Sequence, residues 1–167
     1  GRCVLANTDP KRTFLKLIDQ NKLDSEFSKD INQIRMGHSS LKVNLALKGM
    51  PKIKFFDGEK DGPWQKSDIS IFPDIAGMEA NFFEAAQGRL PKEPRLEITI
   101  PSTIDDTLAP PGHHVMSILA KYYPHQLADQ NWDDIKDDVA NQIVDYAADE
   151  MPNLKDLIVK QQMISPL

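Results

Sequence analysis

Few residues in this chain are equipped for chemistry, and they are scattered. Its 167 residues include four histidines and one cysteine. His113 and His114 are adjacent, and neighbours on an extended strand point to opposite faces, so the pair does not read as two ligands of one metal ion. Asp105-Asp106 could supply a general base. Set among Ser, Thr and Pro, however, these carboxylates suit hydrogen bonds to nearby backbone N–H groups better. His38 and His125 stand beside turns. Cys3 lies in the apolar run Cys3-Val4-Leu5-Ala6, the setting of a buried, inert thiol rather than an activated nucleophile. The chain has no G-x-S-x-G elbow, no G-x-G-x-x-G and no G-x-x-x-x-G-K-[ST]. Residue chemistry alone therefore indicates neither a self-contained active site nor a metal site.

The elements that would position these residues follow from periodicity. Asn7-Thr8-Asp9-Pro10 has the polar caps and early proline of a helix start. Asp24 or Ser25 starts a second helix, with Phe27, Ile31 and Ile34 on one face. Leu41, Val43, Leu45 and Leu47 alternate with Lys42, Asn44, Ala46 and Lys48, as in a strand with one buried side. Pro51, Gly58, Gly62 and Pro63 mark 50–66 as a surface loop. Asp68–Phe72 predicts a short strand. Glu79–Gln87 predicts a helix that buries Phe82 and Phe83 and stops at Gly88. Leu96, Ile98 and Ile100 give another half-buried strand. The 101–112 segment reads as turns, with Pro110-Pro111-Gly112 suited to type II geometry. His114–Tyr122 is apolar on both faces, as a strand central in its sheet would be. Trp132, Ile135, Val139, Ile143 and Tyr146 stripe a helix over about 132–150, and Leu157–Ile164 looks extended. The order predicts an α+β fold: a mixed, largely antiparallel sheet covered by helices on one face.

The net charge is −5, with 40% hydrophobic and 27% charged residues, ordinary values for one globular domain. Residues 1–66 hold 13 Lys+Arg against 8 Asp+Glu, and residues 67–167 hold 7 against 17. An acidic chain with dispersed lysines argues against nucleic acid as a partner. No apolar run approaches the roughly 20 residues of a transmembrane segment. With no secretory signal at its start, the expected location is cytoplasmic. Extended segments at both ends predict a domain cut from a longer chain.

One stretch is more specific than composition. Pro101-Ser102-Thr103-Ile104-Asp105-Asp106-Thr107-Leu108-Ala109-Pro110-Pro111-Gly112-His113-His114-Val115, followed by Tyr122-Tyr123-Pro124, resembles the middle region of phytoene-desaturase-like flavoproteins. It is similar in particular to the pyridine nucleotide-disulphide oxidoreductase domain-containing group, whose pattern runs P-S-x-x-D-x-T-L-A-P-P-G-x-H-V-x-S, then Y-x-P. Val4–Pro10, Thr13–Leu17, Lys42-x-Asn44 and Pro51 also fall in order. The resemblance covers essentially all 167 residues.

This resemblance implies an FAD-dependent oxidoreductase of the amine-oxidase-like superfamily, with residues 1–167 as a single substrate-side domain. The glycine-rich unit that would hold the FAD is missing, so FAD is expected in the full-length parent and not in this stretch. The implied partners are the FAD-binding domain of the same chain and an apolar small-molecule substrate. The strands would then form an apolar wall on one sheet face and pack helices on the other. His114 and Tyr122 are the candidate substrate-binding residues. Asn7, Thr8 and Asp9 are candidates for approaching the flavin, although helix capping explains them equally well. Two other readings stand beside this one: a non-catalytic binding module for an apolar ligand or protein, and a homodimer formed through the uncovered sheet face.

Overall fold

The computed structural model describes residues 2–56 and 62–166. Two compact units divide the chain, residues 1–36 and residues 37–167.

In the first unit Asp9 caps α1 (Pro10–Arg12), accepting the Arg12 N–H at 2.8 Å, with Pro10 at the first helical position. α1 runs into a single π-helical turn over Thr13–Leu17. Asp24 caps α2 (Ser25–Gln33) by accepting the N–H groups of Glu26 and Phe27 at 2.9 and 3.1 Å. The Phe14 and Phe27 rings meet edge to face at 5.0 Å. The extended segment expected at the start of the chain, Cys3–Ala6, does not pair as a strand: this stretch carries no regular structure, and Val4 is 89% and Leu5 96% exposed. Such a run becomes a strand only with a partner to complete its ladder, and no described strand pairs with it. For the same reason Cys3 is an exposed thiol and not the buried one expected.

The second unit is built on five strands: β1 (His38–Leu47), β2 (Ile69–Ile71), β3 (Arg95–Thr99), β4 (His114–Pro124) and β5 (Ile158–Ile164), in spatial order β2-β3-β4-β1-β5. The α+β class is as predicted. The sheet is antiparallel at every pairing rather than mixed, and β4 occupies its centre, as the two-sided apolar pattern of 114–122 requires. Leu41, Val43, Leu45, Leu47, Leu96, Ile98, Met116 and Ile118 are all buried on one face. Against that face packs α4 (Trp132–Ala148) through Trp132, Val139, Ile143 and Ala147, with Leu154 of the short α5 (Leu154–Leu157) beside it. Each such aliphatic side chain contributes roughly 1.5–3 kcal/mol by leaving water. Trp132 satisfies its buried indole N–H by donating to the His125 carbonyl at 3.3 Å.

α3 (Ile75–Ala86) starts earlier than its apolar spacing implied, because Asp74 caps it by accepting the Gly77 N–H at 2.8 Å. Its inward face is also different: Asn81 and Ala85 are buried, while Phe82 and Phe83 are about half exposed. Consecutive helical side chains diverge by about 100°, and Asn81 fixes the rotation by donating its amide to the Glu93 carbonyl at 2.7 Å. Gly88 ends the helix at φ +74°, where a Cβ would lie 2.7 Å from the Ala128 nitrogen. Residues 57–61 of the expected 50–66 loop lie outside the described residues. The rest of that segment forms short 3-10 turns at Lys54–Phe56 and Pro63–Lys66, with Ile53 and Trp64 buried. No helix among the described residues is long and apolar enough to cross a membrane.

Candidate functional site

The face of the sheet turned away from α4 carries the alternate residues of each strand, and the register aligns them in rows. Thr99, Ser117, Asn44 and Gln162 face one another across β3, β4, β1 and β5. Directly paired side chains on one sheet face sit about 5 Å apart, so these four form a continuous polar band. A second row runs Ser70, Glu97, Leu119, Lys42 and Ile164, and a third Arg95, Lys121 and Ser40. Glu97 accepts from Lys121 Nζ at 2.6 Å and from Arg95 Nη2 at 2.9 Å. The hydrogen bond from the Lys121 ammonium is the main influence holding the Glu97 carboxyl below the usual range, opposed by burial. On the other side of the polar band, Val115, Ala46 and Lys160 make a fourth row. A groove of about 440 Å³ opens there, lined by Asn44, Ala46, Val115, Lys160 and Gln162 among others.

This face is not the apolar wall expected. The large apolar residues of β1, β3 and β4 turn to the helix side, leaving Ala46, Val115, Leu119 and Ile164 as the apolar members of an otherwise polar surface. Lys42, Asn44 and Ala46 were visible in the sequence as the outward positions of one strand. Their partners on β3, β4 and β5 were not, because alternation does not say which strands are neighbours.

His114 and Tyr122 belong to the same strand but not to the same place. Eight positions separate them, roughly 26 Å at about 3.3 Å per residue, so they cannot touch one small ligand together. His114 opens β4 opposite Leu47, with its Nδ1 at 3.1 Å from the hydroxyl of buried Ser102. That hydroxyl also accepts the Val115 N–H at 3.1 Å, tying the 3-10 turn Pro101–Thr103 to the start of the strand. Burial, and secondarily the charge of His113, hold the His114 pKa below its ordinary value. Tyr122 is the extra residue of a bulge opposite Ser39 and Ser40 and adopts φ 65°. Its ring meets Phe82 at 6.4 Å, and Phe82 in turn stacks on His38 at 4.1 Å.

Asn7, Thr8 and Asp9 lie in the first unit. Asp9 is occupied in capping α1, and the Thr8 hydroxyl is 2.5 Å from that of Thr13. Asp105, expected to serve the backbone, accepts both the N–H and the hydroxyl of Thr107, at 3.0 and 2.6 Å, and its carboxyl is held low by those bonds. The Pro110–His113 turn is type II as predicted, closed by the His113 N–H on the Pro110 carbonyl at 2.9 Å with Gly112 at φ +76°. His113 and His114 make separate contacts, with the Pro111 carbonyl and the Ser102 hydroxyl. No group of three metal-ligating side chains occurs among the described residues.

The residues here do not fit an FAD pyrophosphate. Such a cradle needs a parallel strand running through a glycine-rich turn into a helix N-terminus. The sheet is wholly antiparallel, and the positive-φ glycines Gly88 and Gly112 follow α3 and precede β4 instead.

Two curated relatives, both called pyridine nucleotide-disulfide oxidoreductase domain-containing protein 2, are similar to the chain. The one from Mus musculus and the one from Rattus norvegicus are each 30% identical to it, over 99% of this chain and 30% of their own length. Both carry an oxidoreductase name. The chain thus spans under a third of the relatives it matches. No family model matches the chain. A crystal structure of a protein from Pyrococcus furiosus aligns with a TM-score of 0.46 and 16% identity, covering 92% of this chain and 28% of that one.

Proposed function

We propose that this chain is the substrate-side domain of an FAD-dependent oxidoreductase of the phytoene-desaturase-like kind, incomplete as a catalyst by itself. The reading rests on one observation above all. A likeness extending over 99% of the chain leads to oxidoreductase-named proteins of which it matches only 30%, and residues 37–167 form a sheet with one face packed against α4 and a polar band on the other. An antiparallel sheet with one solvated face is stable as it stands, and it can serve as a lid on whatever is placed against that face.

The flavin belongs to the remaining part of the polypeptide, and it supplies the redox chemistry. This chain contributes position and enclosure. The polar band Thr99–Ser117–Asn44–Gln162 offers hydroxyl and amide groups that orient a substrate across four strands. The Lys121–Glu97–Arg95 cluster keeps charge compensated at one border, so covering that border leaves no unpaired carboxylate. Excluding water from the covered face strengthens every polar contact made there. Tyr122, at the bulge beside Phe82, is a candidate substrate contact at the sheet corner. His114 acts as a positioning residue through Ser102.

The test is made on the full-length polypeptide. It is expected to copurify with a flavin, seen in its visible absorbance. Asn44→Ala with Ser117→Ala should leave that absorbance intact while slowing substrate-dependent bleaching about tenfold or more, the loss of roughly 1.4 kcal/mol of positioning. A full-length protein without a redox group overturns the reading. So does one whose bleaching rate ignores both substitutions.

A further inference from the structure

We infer that the groove over β4, β1 and β5 binds a carboxylate-bearing molecule with a compact apolar body, the carboxylate on Lys160. The inference rests on the reading of the open face as the substrate-facing surface, and it narrows the substrate class from apolar to amphiphilic and anionic.

The groove's volume, about 440 Å³, lies within the ordinary range for small-molecule sites. Its chemistry is divided. Ala46 and Val115, paired directly across β1 and β4, give an apolar floor. Asn44 and Gln162, paired across β1 and β5, put two carboxamides along one side. Lys160 stands opposite Ala46 at the β5 end of that floor, two residues from Gln162 on the same strand. The cations bordering the face differ in their commitments. Lys121 and Arg95 already share Glu97, whereas Lys42 and Lys160 enter no ion pair among the described residues, and of these two only Lys160 lines the groove. No carboxylate belongs to the rows that line the groove: its own rows are Thr99–Ser117–Asn44–Gln162 and Val115–Ala46–Lys160.

An uncompensated ammonium beside an apolar floor selects for charge. Covering it by a neutral hydrocarbon would strip its hydration with nothing returned, which is strongly unfavourable. Covering it by a carboxylate exchanges water for a charge-assisted hydrogen bond. A single cation suits a monoanion. The two amides can donate to the second carboxylate oxygen or to a polar substituent next to it, and the Ala46–Val115 floor takes the apolar remainder.

The experiment titrates the chain with octanoate and, separately, with octan-1-ol, following amide shifts of Ala46 and Val115 by NMR and heat by calorimetry. Octanoate is expected to bind with shifts at both residues, more tightly than the alcohol, and more weakly as salt is raised. Lys160→Met should weaken octanoate about three- to tenfold and leave the alcohol unchanged. Asn44→Asp, which adds a negative charge to the groove without altering its size, should weaken octanoate further. Equal affinity for the two probes, or octanoate binding indifferent to both substitutions, overturns the inference. Flavin retention and its bleaching are read separately in the full-length protein. Loss of octanoate selectivity with a working flavin sinks only the anionic groove, and selective octanoate binding by a protein that holds no flavin sinks only the redox reading.

Discussion

His114 shows how burial shifts the titration of a single side chain. Its Nδ1 faces Ser102, whose hydroxyl also receives the Val115 N–H, and the partial burial of the ring disfavours its charged form. The folded pKa is therefore depressed below the value of about 6.5 expected in the unfolded chain. As the pH falls past that value the unfolded chain takes up the proton first, so the stability contributed by neutral His114 is complete above it. That contribution is lost as pH drops from there toward the folded pKa. The urea midpoint is expected to fall between pH 7 and pH 5, and His114→Gln, which cannot titrate, should flatten that part of the profile. An unchanged slope in the variant would assign the loss to other groups.

At the scale of the element, the bulge in β4 is the feature that alternation conceals. The sequence reads 114–122 as a plain strand. The structure continues it to Pro124 and inserts Tyr122 as an unpaired residue at φ 65°, a conformation that costs an L-residue roughly 1–2 kcal/mol. Tyr122→Gly removes that strain and also the ring contact with Phe82, so its stability should stay within about 1 kcal/mol of the parent. Tyr122→Val keeps the strain, adds a β-branch and loses the ring, and should cost about 2 kcal/mol or more. Urea denaturation of the two variants separates these outcomes, and equal midpoints would show that the bulge is not strained. The inward face of α3 departs from its apolar spacing for a related reason. Its two adjacent phenylalanines dominate the apolar count, yet the long-range hydrogen bond from Asn81 to Glu93 decides which side turns inward. By contrast, the caps at Asp9 and Asp24, the Pro110–His113 turn and the inner stripe of α4 were legible, because each depends on residues within a few positions of one another.

For the molecule as a whole, the limit of legibility is adjacency. Lys42, Asn44 and Ala46 were recognisable as outward positions, but the polar band and the groove exist only because β1 lies between β4 and β5, a fact of long-range pairing. Adjacency also divides the chain. The principal core cluster runs from Leu41 to Leu154 and takes no member from residues 1–36, and all five strands lie in 37–167. Cooperative unfolding follows the cluster that is buried together. A chain beginning at Gly37 is therefore expected to fold with the sheet intact. Trp64 and Trp132, the only tryptophans, both report on that unit. Their fluorescence in urea should give the shortened chain a midpoint and a slope close to those of the whole, since the slope follows the surface exposed by the unit that reports. A shortened chain that binds octanoate as the whole one does would place the groove entirely within the second unit. If removing residues 1–36 instead abolishes the transition, the core of 37–167 is not sufficient for its own stability.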